Sequence, residues 1–505
     1  MKTTVLRNLS LGYLLLPNLI FSISWFRMPI SLCLVIGLLF MYGISYQREK
    51  TLRTDLATRH MVEIAFISLA IIAFSGIGGF CFQAFDFWAH NSKYYTLYNQ
   101  SWPVLFKENG RYACHYFGFF LVPALISKGL GQPSGIALYL WASVGLFIGI
   151  CWIFIFTQKS YLSLIFFLSL GGIGHVTKVL FLRAIGLNYH VPPFFTEIWP
   201  VLYQTQWAPN QLIPIIIVSC ILFNDYVYIK KPEKSFLAVI SIFIWGIFPS
   251  IVFVVIFGLL IILRYYREPQ YFLKPRPMLD LFVPGLLFIP TFFFFLQGKN
   301  SVVSGFIWQF NPLNEIAFHY FFGVVIDLAV LYGIVLILKL HRSQYSGVIH
   351  SLFLLLIAIS LFRMGKWNDW FLRGSTPVLT LLSLFILHRF AAWVKEHPGW
   401  YKMRVAYPIV IFLLLGLVVP ISHIKRALSE NVVTHSLFPD KVKFTPYPYD
   451  QYEDFYQLGK AIYSQQEANQ FVGQKGSFYE LYLARPTDND GSAMAGSKAT
   501  VGSQP

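Results

Sequence analysis

The chain has 505 residues, 56% of them hydrophobic and 12% charged, with a mean hydropathy of +0.58. Soluble domains carry about twice that charge, so the composition excludes an ordinary soluble enzyme. The formal net charge of +16 is not a nucleic-acid signature, because Lys and Arg gather in short loops between apolar runs, where they set membrane topology.

Apolar runs recur from residue 9 to residue 423, many approaching the ~20 residues that cross a bilayer. Lys2 and Arg7 precede the first, and no small-residue cleavage site follows it, so a removed signal is not expected. Spans at 9–26 and 29–45 read as a hairpin. The loop 47–60 holds Arg48, Lys50, Arg53 and Arg59 and should be cytoplasmic. The loops 228–235, 264–277, 339–342 and 395–404 are of the same basic kind. A third span at 62–82 leads outside, 135–156 returns, and a fifth starts at Tyr161. A sixth covers 210–224. The run 236–263 is too long for one straight span and carries Pro249 near its middle, which predicts a bent pair of short helices. Spans at 278–297, 318–338, 347–362, 377–394 and 405–423 follow.

The expectation is an all-α polytopic membrane protein of about thirteen spans, with eleven to thirteen as the range. Residues 1–60 form an N-terminal hairpin and cytoplasmic loop. Residues 61–423 form the membrane core, and 424–505 an external tail whose Gly/Ser/Ala-rich end has nothing to pack and should be disordered. The external loops 83–134, 173–209, 298–317 and 363–376 should then converge on one face with the tail.

The first external loop carries Asp86, His90, Lys93, Glu108, Arg111 and His115. Asp86 stands among Phe85, Phe87 and Trp88 at a membrane boundary, where desolvation tunes a carboxylate toward a general base. Equally, Asp86 could cap the helix starting at Phe87. The stretch HYFGFFLVPALISKGLG, 115–131, suits a helix lying in the interface. In 173–209, His175, Lys178, Arg183, His190, Glu197 and Gln206 precede WAPNQ. Lys178 and Arg183 could reach a lipid phosphate or simply snorkel from a helix end. RMGKWNDWFLRGSTP, 363–377, sets Arg363, Lys366 and Arg373 around Asn368 and Asp369. Three cations on an external loop run against charge bias and favour an anion site over an ordinary snorkelling, interfacial loop. The five cysteines are scattered, without metal spacing; Cys81 and Cys114 bracket the first loop and allow a bridge, though core cysteines fit better. No Ser/His/Asp, Walker or dinucleotide pattern is present.

The acid of FDFWAHN just after an early span, the segment VPALISKGLG leading into the helix from Gly135, and the many later spans resemble the GT-C superfamily of integral-membrane glycosyltransferases, which includes protein mannosyltransferases and aminoarabinose transferases. With SWPV, QWAPNQL and GKWNDWFLR, the chain also resembles a group of large bacterial membrane proteins of glycosyltransferase type. The resemblance implies transfer of a sugar, with inversion, from a polyprenyl-phosphate donor to a protein, lipid or glycan acceptor. The site would lie on the periplasmic face of a bacterial inner membrane. It implies Asp86 as base and Arg363, Lys366 and Arg373 as phosphate ligands, with His90, Arg111, His115, Lys178, Arg183, Glu197, Asn368 and Asp369 as further substrate-binding candidates. The family often shows an acidic pair where this chain has Asp86–Phe87, which leaves metal ligands unassigned and a divalent cation open. Two other classes compete: a flippase of lipid-linked saccharides, for which intramembrane charges such as Asp327 would speak, and an O-antigen ligase or polymerase, whose dominant loop would come late.

Overall fold

The computed structural model describes residues 1–46, 55–189, 196–298, 303–365, 367–439 and 444–486. The chain is an all-α, multi-pass membrane protein. Among the described residues, nine helices are long and apolar enough to cross a bilayer. They are α1 (Thr3–Trp25), α2 (Met28–Ser45), α6 (Gly135–Phe156), α10 with its extension (Pro209–Tyr228), α12 (Ile247–Tyr265), α13 (Pro275–Leu296), the α14–α15 rod (Leu313–Ile337), α17 (Asp369–Glu396) and α18 with its lead-in (Arg404–Ser429). A tenth is the broken pair α7 (Tyr161–Ser169) and α8 (Ile173–Ala184), bent by 58°. The remaining apolar helices, α3 (Thr58–Phe74) and α16 (Ser346–Ser360), have 17 and 15 residues. Short helices between them are α4 (Phe87–Asn99), α5 (Gly118–Leu130), α9 (Val201–Trp207) and α11 (Phe236–Ser241), and three more, Val432–Leu437, Phe455–Leu458 and Gln465–Asn469, follow α18.

The break between α7 and α8 is written in LGGIGH. Gly171 and Gly172 have φ of 100° and 81°, a left-handed backbone that only glycine adopts cheaply. A Cβ on Gly174 would sit 1.7 Å from the Phe322 carbonyl oxygen, so the α14–α15 rod can press against the start of α8. Asp327, the acid expected at mid-span, accepts from the Ile173 and Gly174 amides at 3.2 and 3.0 Å. It fills the role of a cap for a buried helix start. The break in the 236–263 run falls at Gly246 rather than Pro249. Pro249 lies in the first turn of α12, where a missing N–H breaks no helical hydrogen bond.

Two of the basic loops, 228–235 and 264–277, meet each other and the ends of α1 and α2. Arg7 pairs with Asp225 at 2.7 Å and donates to the Ser45 carbonyl at 3.0 Å. Arg276 donates to the Ile44 carbonyl at 2.8 Å, and Tyr265 and Tyr271 both donate to Glu233 at 2.8 Å. The opposite loops also meet. Strand β1 (Ser304–Phe306) pairs antiparallel with β2 (Phe362–Met364), setting Gly305 against Arg363.

The segment 444–486 folds as part of the protein. The Phe455 amide donates to Thr96 Oγ1 at 3.0 Å, Asn91 donates to the Tyr447 carbonyl at 2.7 Å, and Tyr479 donates to the Trp25 carbonyl at 2.9 Å. Its aromatic residues bury Phe455, Tyr456 and Tyr479, so a stretch polar by composition still has a packed face. The Gly/Ser/Ala-rich end expected to be disordered lies outside the described residues. The stretch expected to lie in the interface is α5, 13 residues long, about 20 Å at 1.5 Å per residue and so short of a span. It packs on α4 and α1 and leaves Leu125, Ile126 and Leu130 exposed. Cys81 and Cys114 are both free thiols.

Candidate functional site

One cavity of about 1070 Å³ collects the expected loops, at the upper end of ordinary small-molecule pockets. Its walls come from α4, α8, the α9–α10 junction, the turn into α17, α18 and residues 462–471 of the tail.

Asp86 sits directly before α4 but does not cap it: its backbone is helical and its side chain accepts no capping bond. The carboxylate instead faces Arg373 Nη2 at 3.5 Å. Arg373 Nε lies 4.0 Å from Asp369 Oδ1, so one guanidinium stands between two carboxylates. The Asp86 side chain is 33% exposed and lines the cavity. Burial, and to a lesser degree Asp369, raise the Asp86 carboxyl above its ordinary pKa against the pull of Arg373 and Lys93.

Asp86, His90 and Lys93 follow at i, i+4 and i+7, one face of a helix, and all three line the cavity. His90 Nε2 donates to the Trp207 carbonyl at 3.0 Å; the carbonyl can only accept, which fixes the tautomer. Burial, with Lys93 nearby, lowers the imidazole to a pKa of about 3, so His90 is neutral. The Lys93 ammonium lies over the rings of Tyr116 and Phe471 at 5.5 and 5.9 Å, and burial lowers it to about 8.

A second polar group lies under one wall. Glu197 accepts from Lys178 Nζ and from His175 Nδ1, each at 2.8 Å, and from Tyr189 at 3.2 Å. Burial raises Glu197, but His175 and Lys178 outweigh it and hold the carboxyl below its ordinary range. His175 and Tyr189 reach the cavity; Glu197 and Lys178 lie behind them. The apolar wall is Val176, Val179 and Leu180 of α8 against Val418 and Val419 of α18.

No protein-family model, curated protein or solved structure matches the chain. What the site can do therefore rests on its own residues.

Of the candidates read from sequence, Asp86, His90, Arg183, Arg363, Asp369 and Arg373 line the cavity together. Lys178 is fully buried on Glu197 rather than snorkelling, and Glu197 anchors His175 instead of facing a ligand. Asn368 caps α17 by accepting from the Phe371 amide. Arg111 donates to the Gly473 carbonyl, tying the first loop to the tail. His115 is buried in an aromatic cluster with Tyr116, Phe455 and Phe471. Lys366 and His190 lie outside the described residues.

Asp86 and Asp369 are bridged by the Arg373 guanidinium, and among the described residues no three His, Cys, Asp or Glu side chains converge. Two features escaped the sequence reading. Lys93 was visible at i+7 from Asp86 but drew no role, and the tail wall of Tyr463, Ser464, Glu467 and Phe471 carries no signal before the tail is folded.

Proposed function

We propose that the chain is an integral-membrane glycosyltransferase of GT-C type. In this reading it transfers a sugar, with inversion, from a polyprenyl-phosphate donor to an acceptor hydroxyl at the periplasmic face of a bacterial inner membrane. In this reading α3 and α16 cross the bilayer as well.

The observation that carries this reading is a carboxylate that caps no helix, Asp86, in one cavity with Arg373, Lys93, Arg183 and Arg363. Transfer needs those two kinds of group. The acceptor oxygen attacks the anomeric carbon as its proton passes to the Asp86 carboxylate. The bond from that carbon to the phosphate oxygen breaks, and the leaving phosphate carries the electron pair as an anion, which preorganised cations stabilise. The apolar α8–α18 wall beside them suits an isoprenoid chain. The flippase reading loses its main support, since Asp327 is engaged as a helix cap.

Detergent micelles separate the two classes, because they have no leaflets to exchange between. Purified protein given polyprenyl-phosphate sugars in micelles is expected to cleave one of them, by transfer or by slow hydrolysis. Lipid movement in vesicles with every donor intact in micelles would establish a transporter instead.

A further inference from the structure

We propose that Lys93 is the seat of a phosphate monoester in this cavity, with Tyr116, Asn210 and Gln211 completing the pocket. This deepens the transferase reading and rests on it only for which molecule brings the phosphate.

The four cations of the cavity are not equivalent. Arg373 is shared by Asp86 and Asp369. Arg363 stacks on the Phe310 ring at 5.4 Å and donates to the Gly365 carbonyl. Arg183 is exposed near the end of α8. Lys93 is 7% exposed, and among the described residues no carboxylate oxygen lies within 4.0 Å of it and no group accepts its hydrogen bonds. The protein treats its structural lysines otherwise: Lys178 is paired with Glu197, and Lys128 donates to the Tyr98 and Gln100 carbonyls at 2.8 and 2.6 Å. A buried ammonium left on ring faces alone is costly, and an incoming anion removes that cost.

The opposite side of the pocket is also unfinished. Asn210 and Gln211 are 2% and 3% exposed and line the cavity. Asn210 Oδ1 and Gln211 Oε1 have no hydrogen-bond partner. They stand in the first turn of α10, a 15-residue helix whose N-terminal dipole favours an anion. Asn210 can turn its NH2 toward a phosphate, while the Gln211 side chain hydrogen-bonds Tyr116. The adjoining α8–α18 wall gives an isoprenoid ester somewhere to lie, while inorganic phosphate would use the polar half alone.

Asp86 before α4, His90 within it, Asp369 and Arg373 from α17, and His115 and Tyr116 from the loop before α5 are the charged or titratable groups around Lys93, and burial pushes the Tyr116 hydroxyl up to about 12. His90 and His115 are neutral through burial, and both acids share Arg373. Lys93 therefore sets the charge of this corner.

The test measures binding of farnesyl phosphate, farnesol and inorganic phosphate to the full-length protein in detergent, without sugar transfer, so that this proposal and the transferase reading can fail separately. Farnesyl phosphate is expected to bind more tightly than farnesol. Lys93→Gln should weaken it by about thirtyfold, as for loss of a buried charge pair, and Lys93→Arg should retain it. A phosphate monoester is already dianionic above about pH 7. Wild-type affinity should therefore fall from pH 7 to pH 10 as Lys93 discharges, and Lys93→Arg should abolish that fall. Lys93-dependent competition by inorganic phosphate supports a seat that takes free phosphate; competition by the ester alone supports one that takes it only on a lipid. Equal affinity for farnesol, undiminished binding by Lys93→Gln, or the same pH decline in Lys93→Arg would overturn the proposal.

Discussion

Asp86→Asn is expected to lower sugar transfer by about 10²- to 10⁴-fold while leaving donor affinity nearly unchanged, the range associated with losing a general base. The substitution keeps the shape of the side chain and removes its proton affinity. It cannot act by unravelling α4, because the Asp86 side chain caps nothing there. Asp86 is raised above its ordinary pKa by burial and restrained by Arg373 and Lys93. The active form is the carboxylate, so wild-type activity should rise with pH along a limb above the usual carboxylate range. Arg373→Ala removes a group that lowers that pKa and should move the limb to higher pH, besides slowing the reaction. A full rate in Asp86→Asn, read as product formed per unit time under saturating donor, would remove Asp86 from the chemistry.

The largest effect on stability is expected at Glu197. Lys178 and Glu197 are 0% and 1% exposed and 2.8 Å apart. Glu197→Ala strands the Lys178 ammonium in the protein interior, for which a cost of about 3–5 kcal/mol is typical. It also releases His175 and Tyr189, which reach the cavity. Thermal melting in detergent should show a clear drop for Glu197→Ala and for Lys178→Ala singly. The double variant Lys178→Met with Glu197→Leu should regain much of the loss, because replacing a whole buried pair with apolar side chains is far cheaper than breaking it. If Glu197→Ala melts with the wild type, the pair is not holding α8 to the 196–200 segment.

Much of the organisation was legible because membrane proteins write it in two simple patterns, apolar length and loop charge. Those patterns placed the helices and sorted the loops, and contacts such as Arg7–Asp225 and Arg276–Ile44 follow that sorting. They also brought Asp86 together with Arg373 across 287 positions of sequence, which no local motif encodes. Side-chain roles were less legible. Asp86 before a helix start reads as a cap by position alone, and only its actual partner decides between capping and chemistry. Lys178 reads as a lipid-phosphate ligand or a snorkelling cation because its partner Glu197 lies 19 residues on, outside any helical spacing. The tail was read as a polar appendage because its packed aromatics alternate with charged residues; their partners, Trp25, Thr96 and Phe106, lie more than 340 positions away.

The most direct measurement of the donor site is photo-crosslinking of the wild-type protein with a polyprenyl phosphate carrying a diazirine on its first isoprene unit, with the adducts located by peptide mass spectrometry. Adducts are expected on the cavity wall, within Val176–Arg183 of α8 and Val418–His423 of α18, and they should disappear with excess unlabelled lipid. Adducts confined to lipid-facing residues of α2 and α13, unaffected by competitor, would contradict a lipid-linked donor in this cavity.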